Sequence, residues 1–298
     1  MTLSAFPWFG GKTNMAQWIT GHLPDHLTYV EPFGGSAAVL LNKQRSHTEV
    51  YNDKDGDVVH FFRVARERPD ELGEWVSRVP YAESQFHEWW NDFYGDGARP
   101  EDDIKRAGQW VFLRYTNFSG HVATKRGFRR DSKNDPKGGR ESRNWSNVPE
   151  RIHRICERLR GVTILDEDYR DCIKRYDTPD TVFYLDPPYV DNEDVYNETA
   201  VHGDISAALD GIEGYAMVSY MEIPSEFNVD EWTILEKDVV HRGSGTGEQA
   251  TEVLLCNFDP DAVTPFVHAE QATLVSSDGG ETPAHSSTAT DRKRGDEA

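Results

Sequence analysis

The chain has 298 residues, 52 acidic and 32 basic, for a net charge of -20. That length supports one elaborated domain or two small ones, the acidity argues against a uniformly basic surface for nucleic acid, and no stretch approaches the roughly 20 apolar residues of a membrane span. Cys156, Cys172 and Cys256 are too scattered for a disulfide framework or a zinc spacing, and no basic-then-apolar leader is visible, so the expected setting is a reducing cytoplasm.

Residues 1–26 hold a glycine turn, Phe9-Gly10-Gly11-Lys12, and an amphipathic stretch from Asn14 to His22. Thr28 to Glu31 reads as a short strand, Pro32 to Ser36 as a turn, and Ala37 to Lys43 as the start of a helix. Glu49-Val50-Tyr51 is a second strand, ended by Asn52-Asp53. A helical period then runs from Asp55 to about Leu113, with Trp75, Phe86, Trp89, Trp90, Trp110 and Phe112 as core aromatics. Ser119 to Asn147, rich in Gly, Ser, Asn and Arg, reads as long loops. Val148 to Arg160 is helical, capped by Asn147 with Pro149 just inside. Strands follow at 162–165, 181–185, 215–219, 233–235 and 250–258, with helices at 169–175 and 204–209 between them. Strands alternating with helices predict an α/β fold with a mainly parallel sheet. The polar segment 268–298 lacks the apolar residues to build a core and is expected to be disordered.

Charge is unevenly spread. Between Arg114 and Arg160 there are 13 Lys or Arg against five acids, a net +8 that leaves -28 for the rest of the chain. One basic island in an acidic protein is a local footprint for a polyanion, and the acidic remainder fits adaptation to high salt. Arg126, Arg129, Arg130, Arg140 and Arg143 are its candidate nucleic-acid contacts, because guanidinium groups grip phosphates and read guanine edges.

Three short stretches carry chemistry. Asp186-Pro187-Pro188-Tyr189 follows the apolar strand 181–185, at the strand end where open α/β sheets bind ligands. The prolines fix a turn and lack N–H groups, so a carboxylate and a free carbonyl are presented together. Those two acceptors suit the two hydrogens of a primary amine, and the Tyr189 ring suits stacking on a flat heterocycle. In Glu31-Pro32-Phe33-Gly34-Gly35-Ser36 the glycines let backbone approach a ligand closely. About twenty residues on, Asp53 ends the next strand, where an acid takes ribose hydroxyls; no G-x-G-x-x-G is present, which disfavours a pyrophosphate cofactor. Pro7-Trp8-Phe9-Gly10-Gly11-Lys12 adds an indole for covering a purine and an ammonium for pairing with a carboxylate.

Taken together and in this order, P-W-x-G-G-K, E-P-F with its glycines, a recognition region and D-P-P-Y resemble the DNA adenine methyltransferase family in its alpha arrangement. The likeness covers about residues 6 to 258 and extends to Phe118-Ser119-Gly120 and to the closing stretch Thr251 to Phe258. It departs at Ala37, where that family has a second glycine; alanine suits a turn of negative φ, so a small shift in cofactor affinity is expected.

The resemblance implies a Rossmann-like S-adenosylmethionine-dependent methyltransferase sheet with a mainly helical, basic target-recognition insertion. The catalytic part would be 1–55 with 161–262 and the insertion 56–160. It implies S-adenosylmethionine as methyl donor, with no metal, held by Trp8, Lys12, Phe33, Gly34, Gly35, Asp53, Asp168 and Asp186. Lys12 would face the donor's carboxylate. Catalysis would fall to Asp186, Pro187, Pro188 and Tyr189, acting on the 6-amino group of an adenine flipped from double-stranded DNA. A restriction endonuclease partner, a monomer or weak dimer, and no membrane association complete the expectation. The residues leave two other readings open: an amino methyltransferase acting on cytosine or RNA, and a non-catalytic nucleic-acid-binding module. The leading Asp of the tetrad disfavours the first, and intact Lys12, Asp53 and Asp186 disfavour the second.

Overall fold

The computed structural model describes residues 2–118, 124–132, 139–188, 202–241 and 248–266. Tyr189, Ser119, Gly120 and the segment 268–298 lie outside the described residues. Residues 1–266 form one compact unit, built, among the described residues, on a sheet of seven strands: β1 (Thr28–Glu31), β2 (Thr48–Asn52), β3 (Val162–Leu165), β4 (Thr181–Leu185), β5 (Tyr215–Tyr220), β6 (Thr233–His241) and β7 (Glu248–Cys256). Their order is β3-β2-β1-β4-β5-β7-β6. The first five are parallel, β7 is antiparallel to β5, and β6 is antiparallel to β7. From β1 the chain moves outward to β2 and β3, then crosses to β4 on the other side of β1. The β1–β4 boundary is therefore the switch point at which such sheets open a crevice.

Side chains alternate across the sheet, as strand geometry requires. Tyr29, Tyr51, Val182, Tyr184, Met217, Leu254 and Cys256 join one core with the helices that follow β2. Val30, Val50, Phe183, Leu185, Val218, Val253 and Leu255 join a second core with the helices α8 (Tyr169–Tyr176) and α9 (His202–Leu209). A short helix, α1 (Ala16–Thr20), precedes β1, and between β2 and β3 run α2 (Gly56–Glu67), α3 (Pro69–Arg78), α4 (Glu83–Tyr94), α5 (Asp103–Thr116), α6 (Arg140–Ser146) and α7 (Val148–Leu159). The Asp55 and Asp102 side chains accept from Asp57 N and Lys105 N and so cap α2 and α5, while α3 starts on Pro69. Phe86, Trp89, Trp90, Trp110 and Phe112 are buried as expected, and Trp75 packs partly buried against them.

Five expectations need correction. Ala37 to Lys43 forms turns and no helix; Leu40 N donates to Glu31 Oε1 at 2.6 Å, which takes it out of the helical hydrogen-bond ladder. Ala37 itself has φ 55°, in the left-handed region and not the negative φ anticipated. Within the supposed loops, Arg140–Ser146 is helical because Asp131 Oδ1 accepts from Glu141 N at 2.6 Å and Trp145, 4% exposed, donates its indole N–H to Val79 O at 2.7 Å. Asn147 makes no side-chain cap for α7. The strand β6 also runs further than its apolar residues suggested, through Glu236, Lys237 and Asp238; it is a sheet edge, where charges are well placed.

Candidate active site

At the switch point a cavity of about 530 Å³ opens at the carboxyl ends of β1, β2 and β4. It brings Trp8, Lys12, Phe33, Gly34, Gly35, Asp53, Asp168, Asp186, Pro187 and Pro188 to one wall system, although they come from five segments of the sequence. Tyr189 lies outside the described residues, so the tetrad is seen only to Pro188.

The glycine loop is fixed from beneath. Gly34 N donates to Asn52 O at 2.8 Å, and Gly35 N donates to Asp53 Oδ2 at 2.7 Å. The Tyr51 hydroxyl donates to Gly35 O at 2.8 Å. A Cβ on Gly34 would stand 2.1 Å from the Tyr51 ring, and Gly35, at φ 46°, lies against the Trp8 indole. Both glycines are thus required by contact and by conformation. Asp53 Oδ1 also accepts from Asp55 N at 2.8 Å. The carboxylate that would take ribose hydroxyls is therefore already oriented by two backbone donors.

Lys12 does something that spacing did not suggest. Its ammonium sits 2.8 Å from Asp186 Oδ1 and 3.1 Å from Glu252 Oε1, and donates to Gly10 O at 3.0 Å. The side chain is 4% exposed. Burial acts to lower its pKa, but Asp186 and Glu252 outweigh burial and hold it above the ordinary lysine value. Two protein carboxylates thus meet the group expected to face the donor. Below the glycine loop, Glu31 is 2% exposed and accepts from the Tyr29 hydroxyl at 2.7 Å as well as from Leu40 N. Burial pushes its carboxyl up to about 7 against those two hydrogen bonds.

Asp168 caps α8, with Oδ1 accepting from Arg170 N at 3.0 Å. The next residue, Tyr169, packs its ring against Phe33 at 4.8 Å between centroids. These aromatics make one wall, and carboxylates line much of the rest. The donor set fits S-adenosylmethionine: flat walls suit its purine, the Asp53 carboxylate suits its ribose, an acidic lining suits a sulfonium, and the glycine loop leaves room that a Cβ would fill. Sequence reasoning missed Glu252, Tyr169 and Glu31 as site residues. Glu252 and Glu31 lay inside quoted motifs, but their roles depend on tertiary contacts.

Comparison with known proteins decides the family. The sequence model of the family described as D12 class N6 adenine-specific DNA methyltransferase matches residues 8–230. This chain belongs to that family. Among similar proteins, the DNA adenine methylase of Escherichia coli strain K12 is 29% identical over 195 residues, covering 65% of this chain and 68% of that protein. The type II methyltransferase M.MjaIII of Methanocaldococcus jannaschii is 26% identical over 200 residues, covering 61% and 67%. A solved structure titled as a conserved hypothetical protein of Streptococcus pyogenes aligns over 82% of this chain and 94% of its own at 10% identity and a TM-score of 0.33, too loose a likeness to carry an argument.

The chain is accordingly a site-specific DNA adenine methyltransferase that uses S-adenosylmethionine. Acceptors other than adenine in DNA, and the non-catalytic module, drop out. Among the described residues no helix is long and apolar enough to cross a membrane.

The basic island of this methyltransferase is smaller than its composition. Arg114 is fully buried and donates to the Tyr94 hydroxyl at 2.9 Å, and Arg158 is held by Glu49 at 2.6 Å. Arg130 pairs with Glu83 at 2.6 Å and Arg129 with Glu141 at 3.7 Å. Arg126, Arg140 and Arg143 are exposed. Arg126 stands on a loop whose base is pinned by the buried Asn117: Asn117 Oδ1 accepts from Arg126 N at 3.0 Å, and its amide donates to Thr124 O at 3.0 Å. Arg140 and Arg143 stand on α6.

Proposed function

We propose that Asp186, with the Pro187 carbonyl, accepts the two hydrogens of an adenine 6-amino group extruded from double-stranded DNA. The observation that carries this reading is the place of Asp186-Pro187-Pro188: at the end of β4, beside the switch point, on the same cavity as the glycine loop and Asp53. The amine's lone pair is delocalised into the ring. Two fixed acceptors favour the pyramidal geometry in which that lone pair becomes available, and proline supplies no competing N–H. Once bound, the donor supplies a methyl group already activated on a sulfonium. Trp8, Phe33, Gly34, Gly35, Asp53 and Asp168 hold it, which fixes the reacting groups in line and contributes much of the rate. Lys12 works on Asp186, and the donor's carboxylate is left to other groups. Tyr189 stacks on the extruded base.

Along the chain, 1–55 with 161–262 performs catalysis and 56–160 carries target recognition, while sharing one hydrophobic core with the sheet. Arg126, Arg140 and Arg143 contact DNA directly, and Arg129 and Arg130 do so to the extent that their acidic partners release them. The enzyme acts in the cytoplasm as a monomer or weak dimer, on its own or beside a restriction endonuclease.

The test is transfer of a tritiated methyl group to DNA, with modification-sensitive sequencing to read the base and its context. Asp186→Ala is expected to lower turnover by ~10²–10³ or more, as loss of a charge-stabilising partner does, while donor binding and folding persist. Turnover within about threefold of wild type would remove Asp186 from the reaction.

A further inference from the structure

Lys12 joins three segments distant in sequence: its own glycine turn, the end of β4 through Asp186, and β7 through Glu252. Glu252 is 4% exposed and too deep to meet bulk solvent, and the cavity lining includes Lys12 and Asp186 but not Glu252. A buried carboxylate is costly unless partners compensate it, and one partner here is an ammonium that Asp186 also engages. From this geometry we infer that Glu252 is a positioning residue for methyl transfer, acting through Lys12 on Asp186.

The physical reason is charge. A lone Lys12–Asp186 pair would be neutral, with the Asp186 carboxylate spent largely on the ammonium. Sharing Lys12 between two carboxylates draws the ammonium partly toward Glu252. Asp186 then keeps accepting strength toward the amine, and residual negative charge faces the nitrogen as methylation makes it more positive. Charge fixed before the reaction and aimed where charge develops favours the transition state over the ground state. The two distances, 2.8 Å and 3.1 Å, place the ammonium in contact with both acids at once.

The inference rests on the assignment of Asp186 above, and the experiment separates the two. Glu252→Gln keeps the size and an oxygen that accepts from Lys12, and removes only the charge. Single-turnover transfer at saturating donor and DNA is expected to slow about 10- to 100-fold, the usual size for partners that act through another residue. Donor affinity by calorimetry, DNA affinity and the melting temperature are expected to stay close to wild type, which a merely structural role would not give. The second arm compares Lys12→Met with Lys12→Met/Glu252→Gln. Lys12→Met removes the link from Glu252 to Asp186 on which the inference rests, so the double variant is expected to be no slower than the single one. Glu252→Gln turning over like wild type, or rate losses that multiply in the double variant, would overturn the inference. If Glu252→Gln melts early, the Lys12 comparison decides by the same criterion. Retained transfer in Asp186→Ala would instead refute the site assignment itself.

Discussion

Replacing Glu31 with Gln is expected to stabilise the protein in a pH-dependent way. Tyr29 and Leu40 both donate to Oε1 of Glu31, and glutamine offers the same carbonyl oxygen to both, so the perturbation is confined to charge. Burial raises the carboxyl from 4.5 in the unfolded chain to about 7 in the fold. Between those values the native state binds the proton and the unfolded state does not, so stability falls as pH rises through the window. A shift of this size corresponds to about 3 kcal/mol once Glu31 is fully ionised. Glu31→Gln removes that loss. Its stability gain over wild type is expected to grow by about 2 kcal/mol between pH 5 and pH 7.5, read from urea unfolding at the two pH values. Lys43, whose pKa burial lowers to about 8 against the pull of Glu49 and Glu31, keeps its charge through most of this range in the wild type. A gain that is the same at both pH values, or a variant less stable at pH 7.5 than wild type, would refute the reasoning.

Two further outcomes follow from geometry. Gly34→Ala would drive a methyl to 2.1 Å from the buried Tyr51 ring; a cost of about 1–3 kcal/mol in unfolding free energy and weakened donor binding by calorimetry are expected, with DNA affinity retained. Arg126→Ala is expected to reduce the magnitude of the log–log salt slope of DNA binding by ~0.9, whereas Arg130→Ala, already paired with Glu83, should change it less; equal effects would mean that the Glu83 pair dissolves on DNA.

The sheet was legible because apolar runs such as 181–185 and Val50-Tyr51 are buried, and turn residues bracket them. The pocket was legible because its polar residues sit at strand ends, a place fixed by topology. What escaped has a common cause. Trp145 pins α6 through a backbone carbonyl 66 residues away; Arg114 and Arg158 are drawn inward by partners outside their own window. Glu252 meets Lys12 only after the last strand is in place. Sequence distance hides each of these contacts, and local composition pointed the other way: basic residues read as surface, polar stretches as loop. Ala37 is a different case. A left-handed alanine is disfavoured locally, and the loop around it, held by Glu31 and Tyr51, overrides that preference.

The placement of helices α2 to α7 between β2 and β3 has a consequence for synthesis on the ribosome. The central strand β1 can find β2 at once, because only a short connection separates them, but its other neighbour, β4, emerges after the whole helical block. Until β3 is made, a two-stranded parallel ribbon has one open edge on β1, one on β2, and apolar faces, the kind of surface that recruits other chains, and the β1 edge stays open until β4. The helices relieve only one face: Tyr29 and Tyr51 pack into their core, while Val30 and Val50 wait for α8 and α9. Even after the helices between β2 and β3 exist, the nascent chain thus keeps one uncovered apolar face and an open β1 edge until β4, and with it Asp186, has been made.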